Sequence, residues 1–475
     1  MADAARLGIG TKLAYGTGTL AEGIKTNAFD VFVFFYFTQV LGLDQILAGL
    51  AIACALMADA ISDPLAGSLS DNHKGRWGRR HGFMYAAAVP LGLSFMALMA
   101  PPEGLSQTGL FLWLSLGAIA VRVSMTFYAI PHTALGAELT AHYDERTVVV
   151  AWRTLFGLLG ALLTSGLGIT LFFPETGGPD SGLKNPDGYG AFGIFFGALM
   201  TMAVLASALG THDKIPDLLA PAVSELGGGY RRVVRELREA LSNRSFRALF
   251  FGMILYFIVR GVMTTLGVHM GLHFWALDSN EIRNMMIGFA LGFAVGAIIA
   301  MPLGRRIDKK GAWLWGMAWL IVWGAAAASL RLLGLFPDNS DPLLPGLVVG
   351  ATFIASIGGG VALATASSMM ADVADDHEAT HGTRREGIFF GALMFSLKAS
   401  QGIGWLVGAL VLEAIAFPEN AIVGSVPQAT LNGLGIAHGP GAALLGLAGL
   451  IFVWRGYAIT RNHMVTVRRV IAVQG

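Results

Sequence analysis

Twelve apolar runs, each near the roughly 20 residues needed to cross a bilayer, follow one another with only short polar breaks. They lie near 12–38, 45–71, 82–100, 107–136, 147–172 and 189–209, then 246–276, 283–303, 312–335, 343–371, 386–415 and 434–459. Such a series predicts an all-α membrane protein of 12 transmembrane helices in two pseudo-symmetric six-helix bundles. The expected domains are 1–209, a polar segment 210–245, and 246–475, which includes a cytosolic tail. Lys214, Pro216, Gly227 to Gly229, Arg231, Arg232, Arg235, Arg238 and Arg244 make the middle segment read as a cytosolic linker with a short amphipathic helix.

Only 13% of the 475 residues are charged, about half the roughly 25% of soluble domains. The 63 Gly suit close helix packing in lipid. A net charge of +1, with basic residues in loop clusters rather than a stripe, gives no footprint for nucleic acid. The single Cys54 excludes an internal disulfide or cysteine metal cluster and reads as a packed thiol. Arg6 and Lys12 run directly into the first span, which is expected to stay as an anchor. One set of alternate loops carries roughly two dozen basic residues and the other only Lys184 and Arg283. Both termini of this multi-pass chain are therefore expected in the cytoplasm, beneath an inner or plasma membrane. Nothing in the sequence calls for a cofactor, a resident metal or an oligomer, and the expected form is a monomer.

Inside the second run sit two carboxylates, Asp59 and Asp63, four residues apart and so on one helical face. A charge at that depth costs at least about 2.5 kcal/mol on insertion scales, so it faces a cavity, a partner or a bound cation. At about 1.5 Å per residue, Glu22, Asp59, Arg122, Arg260 and Lys398 all fall roughly 15 to 21 Å from the cytosolic helix ends. That is the middle of a hydrocarbon core about 30 Å thick. Five ionisable groups at one level, from helices 1, 2, 4, 7 and 11, suggest one aqueous transport cavity.

Two readings stay open for Asp59 and Asp63. They hold a coupling ion, as oxygen ligands of Na+ or as carboxylates that take up H+, or they form an ion pair with Arg122 or Lys398 that fixes helix register. Lys398 has no acid within one turn, so solute or helix 2 must meet its charge. Arg122 and Arg260 either pair structurally or grip a carboxylate, phosphate or sulfonate bidentately. Asp30 and Gln401 are further candidate cavity contacts. His269 and His273 have a metal-ligand spacing but no third ligand, and they read as lining a water-filled vestibule or packing near the outer interface, with Trp275 as an aromatic anchor.

The halves repeat weakly. Asp63-Pro64-Leu65 with Gly75-Arg76-Trp77-Gly78-Arg79-Arg80 follows helix 2, and Pro302-Leu303-Gly304-Arg305-Arg306 with Asp308-Lys309-Lys310-Gly311 follows helix 8. Glu138, Asp144, Glu145, Arg146 and Arg153 follow helix 4, and Asp372, Asp375, Asp376, Glu378, Arg384, Arg385 and Glu386 follow helix 10. Equivalent charged loops of this kind mark carriers built from repeated bundles. Asp71, Arg76, Arg79, Arg80, Glu138, Arg146, Arg384 and Arg385 read as exposed gate pairs worth about 0 to 1 kcal/mol each, which together can bias a two-state equilibrium.

The Asp-x3-Asp-Pro-x2-Gly-x3-Asp series leading into Arg-Trp-Gly-Arg, with Tyr15 to Gly18, Ile130-Pro131, Ala134 to Leu139, Arg146, Arg153, Gly382 to Gly391, Lys398 and Gly402, covers nearly the whole chain. It resembles the glycoside-pentoside-hexuronide:cation symporters of the major facilitator superfamily, the group of the melibiose carrier. The resemblance implies that Asp59 and Asp63 match the helix 2 acids of the cation site, that Lys398 faces the central cavity and that Arg153 reaches the solute. Related lysolipid carriers look similar at these positions. Two departures stand out: the helix 4 acid of the sugar carriers is replaced here by Tyr128 and Ala129, and their helix 1 acid corresponds to Glu22 shifted by one position. A galactoside is thereby disfavoured, preference moves toward H+, and Na+ stays open.

The expectation is a secondary active carrier, not an enzyme, working by alternating access and coupling H+ or Na+ to a glycoside, sugar acid or other anionic or zwitterionic solute. Asp59, Asp63 and Glu22 would hold the cation; Lys398, Arg153, Tyr128, Arg122, Arg260 and Gln401 would meet solute. The rival readings are a lysophospholipid-like lipid carrier and a non-transporting membrane sensor. The chain holds no nucleophile–base motif or phosphate loop that would favour an enzyme.

Overall fold

The computed structural model describes residues 7–73, 75–140, 143–177, 181–218, 241–381 and 386–474. The first six helices are α1 (Ile9–Ala28), α2 (Gln45–Asn72), α3 (Gly78–Leu98), α4 (Gln107–Glu138), α5 (Tyr143–Phe172) and α6 (Asp187–Gly210). Then come α7 (Arg244–His269) and a single run Ser279–Leu332, broken where Ile307 and Asp308 leave helical geometry into arms α8 and α9. α10 (Leu344–His381), α11 (Glu386–Ala414) and α12 (Gln428–Ile436, carried on through Ala442–Gly456) complete the twelve spans. A C-terminal tail helix, α13 (Arg461–Gln474), follows. Of the segment 210–245 in which a short linker helix is expected, residues 219–240 lie outside the described residues.

Local chemistry sets the helix starts. Asp44, Ser106 and Asn243 accept hydrogen bonds from the amides of Leu47, Gly109 and Phe246, and Asp278 with Glu281 closes a reciprocal capping box at α8. Each cap contributes about 1 kcal/mol. Three spans widen into turns with i to i+5 bonds: Phe29–Val33 and Tyr36–Val40 extend α1, Met270–Phe274 extends α7, and Ala437–Gly441 interrupts α12. Such turns insert an extra residue and re-aim the side chains beyond them.

Contacts divide the chain into two compact units, Met1–Glu225 with Pro418–Ile422 and Leu226–Phe417 with Val423–Gly475. The packing inside one unit repeats in the other. α1 packs on α5, α4 on both α2 and α3, and α6 on α1 and α3; likewise α7 packs on α11, α10 on the α8–α9 run, and α12 on α7 and on that run. Glycine makes the closest crossings possible. A Cβ on Gly23 of α1 would fall on the Gly157 carbonyl of α5, and one on Gly261 of α7 would meet the Gln401 carbonyl of α11 at 2.7 Å.

Two minor expectations are corrected. Cys54 is exposed, on a face of α2 that the bundle does not cover, because its neighbours Ala51, Ile52 and Ala55 supply the packed face. Trp275 is buried against Phe274 and Phe336 rather than standing at an interface.

The N-terminal arm of the first unit is strapped to α5. Glu145 accepts hydrogen bonds from the Leu7 amide (3.0 Å) and Lys12 Nζ (2.9 Å). The amide first, and then the lysine, hold its carboxyl below the ordinary glutamate range. A lowered pKa stabilises above the unfolded value of about 4.3 and loses that stabilisation only as pH falls through the lowered value. The strap therefore stays charged and closed throughout the neutral range. Glu145→Gln should raise hydrogen–deuterium exchange at Leu7 several-fold at neutral pH; unchanged protection there would show that the carboxylate does not hold the arm.

In the second unit, Asp308 has φ +68°, a region costly for a non-glycine residue. Its carboxylate accepts from the amides of Lys309 (2.6 Å) and Arg461 (3.0 Å), so it caps α9 and α13 together. Met464 and Val467 of α13 join the core cluster of Trp313, Met369 and Val453.

Candidate ion-coupling and solute site

In the first unit, two side chains one turn apart on α2 meet two side chains one turn apart on α4. Asp59 is 5% exposed and Arg122 7%. Arg122 Nη1 lies 3.3 Å from Asp59 Oδ2, and the guanidinium carbon stands 4.6 Å from the centre of the Phe29 ring. Thr126 Oγ1 donates to Asp59 Oδ1 at 2.7 Å and lies 3.1 Å from Asp63 Oδ1. Asp30, at the first wide turn of α1, is near enough for its charge to act on Arg122. Each helix carries a proline shortly beyond its polar pair, Pro64 in α2 and Pro131 in α4, which frees a backbone carbonyl one turn back.

The chemistry of this group follows from its hydrogens. A threonine hydroxyl has one, and it cannot serve two ionised carboxylates at once. With that hydrogen on Asp59, Asp63 is the half-buried neighbour of the same hydroxyl. Arg122 offsets the charge of Asp59, and Asp30 acts on the same guanidinium.

Glu22, Arg122 and Tyr128 have different surroundings. Glu22 is exposed and, among the described residues, contacts none of these groups; one position of shift is about 100° of helix, enough to turn it away. Arg122 is tied to Asp59 instead of open to solute. Tyr128 is 1% exposed, stacked on His132 at 5.0 Å, which stacks in turn on Tyr15 at 4.2 Å. Its bulk fills the α1–α4 contact beside Gly18 and Ser207. Arg153 borders this aromatic stack, with Nη1 donating to Thr133 at 3.0 Å and the Tyr15 hydroxyl as a second neighbour.

Thr126 was not singled out from the sequence. The signal that finds it is its place four residues after Arg122, matching the Asp59–Asp63 spacing on the facing helix. His132, whose Nε2 lies 2.9 Å from the Tyr15 carbonyl, was also missed.

The charges at the ends of α2, α3 and α4 join into one network. Arg80 contacts Asp71 (2.6 Å), Glu138 (2.7 Å) and the Ser70 hydroxyl (2.7 Å), and Arg79 lies 3.3 Å from Glu138. The Arg80 side chain is buried, which corrects the expectation of exposed pairs: three helix ends close over it. Arg76 instead lies over the Trp77 ring at 5.3 Å. The Arg146 side chain, Arg384 and Arg385 fall outside the described residues.

In the second unit, Arg260 and Gln401 flank the Gly261–Gly404 crossing of α7 and α11, with Lys398 about one turn earlier on α11. All three are half-buried. His269 and His273 are buried with their rings edge-on to Phe417, at 5.2 and 5.1 Å. They fill the end of α7 as packing groups.

A family model described as MFS/sugar transport protein matches residues 14–461. The chain belongs to that family. The motifs read as those of glycoside-pentoside-hexuronide:cation symporters are borne out as such. An uncharacterized symporter of Synechocystis sp. is 26% identical over 98% of this chain and 97% of its own. The isoprimeverose transporter of Lactiplantibacillus pentosus is 24% identical over 86% and 81%. A crystal structure of a D-xylose-proton symporter superposes with a TM-score of 0.61 at 14% identity, covering 95% of this chain and 97% of that one. That likeness shows the fold, a major facilitator fold of twelve spanning helices. Members of the MFS/sugar transport family are membrane transporters, not enzymes, and this member is a multi-pass inner-membrane protein of the symporter type.

Proposed function

We propose that this protein couples entry of one H+ or Na+ to uptake of a small polyhydroxylated solute, a glycoside or a sugar acid, by alternating access. The observation that carries the coupling is the single Thr126 hydroxyl set between Asp59 and Asp63, with Arg122 offsetting one of the two charges. Arg260, Lys398 and Gln401 set hydrogen-bond donors at the α7–α11 crossing; a carboxylate-bearing solute suits such groups. Arg153 plays the corresponding part in the first unit. The printed name of the Lactiplantibacillus relative, a transporter of isoprimeverose, favours a glycoside. The Lys/Arg bias of the loops orients both termini to the cytoplasm.

The test is thermal shift on purified protein with glycosides, pentosides, uronates and lysophospholipids, each with and without Na+ and at two pH values. Binding raises the melting temperature by mass action. A uronate or glycoside shift that Na+ or acid enhances, and that Asp59→Asn makes cation-independent, is the expected outcome. Shifts with lysophospholipid alone would replace the solute class, and ligand shifts unaffected by loss of both Asp59 and Lys398 would remove the site.

A further inference from the structure

The ends of α7 and α12 in the second unit enclose a cleft of about 440 Å³ that the transport reading does not use. Arg244, Arg247 and Arg455 line it together with the apolar side chains of Phe251, Ile451 and Phe452. The cleft forms because Gly252 and Gly449 bring the two helices close, while the chain parts at their ends. Arg244 Nη2 donates to the Arg455 carbonyl at 2.9 Å and Arg247 Nη1 to the Leu241 carbonyl at 3.4 Å. Arg455 lies near the Trp454 ring at 5.9 Å. Among the described residues none of the three arginines is paired with a carboxylate. Lys310, whose Nζ donates to the Tyr457 carbonyl at 2.6 Å, adds a fourth cation close enough to act on Arg244.

Position in the membrane selects the occupant. Arg244 and Arg455 sit at the ends of the spans Arg244–Phe274 and Gln428–Gly456, hence at headgroup level on the side the loop charges assign to the cytosol. Phe251 lies about 10 Å deeper, counting seven residues at the helical rise. Phe251, Ile451 and Phe452 are 38%, 38% and 51% exposed, with the two phenyl rings 6.2 Å apart, an apolar surface reached from the acyl-chain side. A free inorganic anion satisfies the arginines and leaves that surface bare; a phospholipid satisfies both. Basic pockets between spanning helices on the cytoplasmic side are suited to anionic headgroups.

We propose that the α7–α12 cleft is a binding site for an anionic diacyl phospholipid of the cytoplasmic leaflet, its phosphate held by Arg244, Arg247 and Arg455 and an acyl chain laid along Phe251 and Phe452. The lipid here is a bound component of the second unit, distinct from any transported solute.

Native mass spectrometry of the full-length protein, titrated with phosphatidylglycerol, with phosphatidylethanolamine of the same chains and with glycerol 1-phosphate, tests it. Phosphatidylglycerol adducts should form at the lowest concentration. The triple variant R244Q/R247Q/R455Q should bind phosphatidylglycerol on the order of 100-fold more weakly, at about 1 kcal/mol per basic group. The variant R244K/R247K/R455K should retain most of the binding, which separates charge loss from misfolding. Equal binding of both lipids, or undiminished phosphatidylglycerol binding in the glutamine variant, overturns the proposal. Glycerol 1-phosphate binding as tightly as the lipid would also overturn it, by reducing the cleft to a plain anion site.

Discussion

Arg122→Met is expected to cost the folded protein about 3–5 kcal/mol at neutral pH without Na+, the penalty for removing one partner of a buried ion pair. The two carboxylates then share one threonine hydrogen without the Arg122 guanidinium beside Asp59. The loss should be partly restored by lowering the pH or adding Na+, because either neutralises the stranded charge. Asp59→Asn in the same background should recover much of the stability, since it removes the group that Arg122 offset. The measurement is a double-mutant cycle read as melting temperature in detergent, at two pH values and two Na+ concentrations. Additive losses, indifferent to pH and Na+, would show that Arg122 and Asp59 do not act on one another and would take the coupling site with them.

The second large effect lies in the helix crossings. Gly23→Ala and Gly261→Ala each add one methyl group against a neighbouring backbone, where a flexible side chain cannot yield. Each should destabilise by about 1–3 kcal/mol, although alanine is the better helix former by about 1 kcal/mol. Gly190→Ala and Gly267→Ala, at helical positions with nothing within 4 Å of the added Cβ, should be neutral or mildly stabilising. The sign difference between the two sets is the test. If all four behave alike, the close approach of α1 to α5 and of α7 to α11 does not hold the bundles.

Much of the architecture was legible because the bilayer leaves few choices. Backbone groups in hydrocarbon must be satisfied within a helix, so long apolar runs translate directly into spans. The repeat in the loop charges anticipated a repeat in helix packing, found in the pairing of α1 with α5 and α7 with α11. The site was half legible. Spacing on one helix places Asp59 with Asp63, but it cannot say what faces them. Depth alone left Arg122 open between an ion pair with Asp59 and a solute ligand, because its partner sits 63 positions away in sequence. Thr126 escaped because a threonine costs little in a membrane helix and so raises no flag. Tyr128 drew attention because it stands where the sugar carriers place an acid, while its ring is packed inside the first unit. The breaks in regular geometry, such as the bend at Ile307 and Asp308, depend on contacts with α13 that no local pattern records.

The wide turns give the molecule its mechanical character. Glycine-lined crossings clamp neighbouring helices backbone to backbone, so the clamped stretches behave as stiff struts. Compliance is left to the places where the hydrogen-bond ladder already runs one residue long, at Phe29–Val33 and Tyr36–Val40 in one unit and at Met270–Phe274 and Ala437–Gly441 in the other. The first of these joints includes Phe29, whose ring packs against Arg122, and Asp30, whose charge acts on it. Bending there changes the surroundings of the Arg122–Asp59 pair directly, and a change in charge at that pair loads the joint in return. Charge at the Arg122–Asp59 pair and helix curvature in this chain are two ends of one lever.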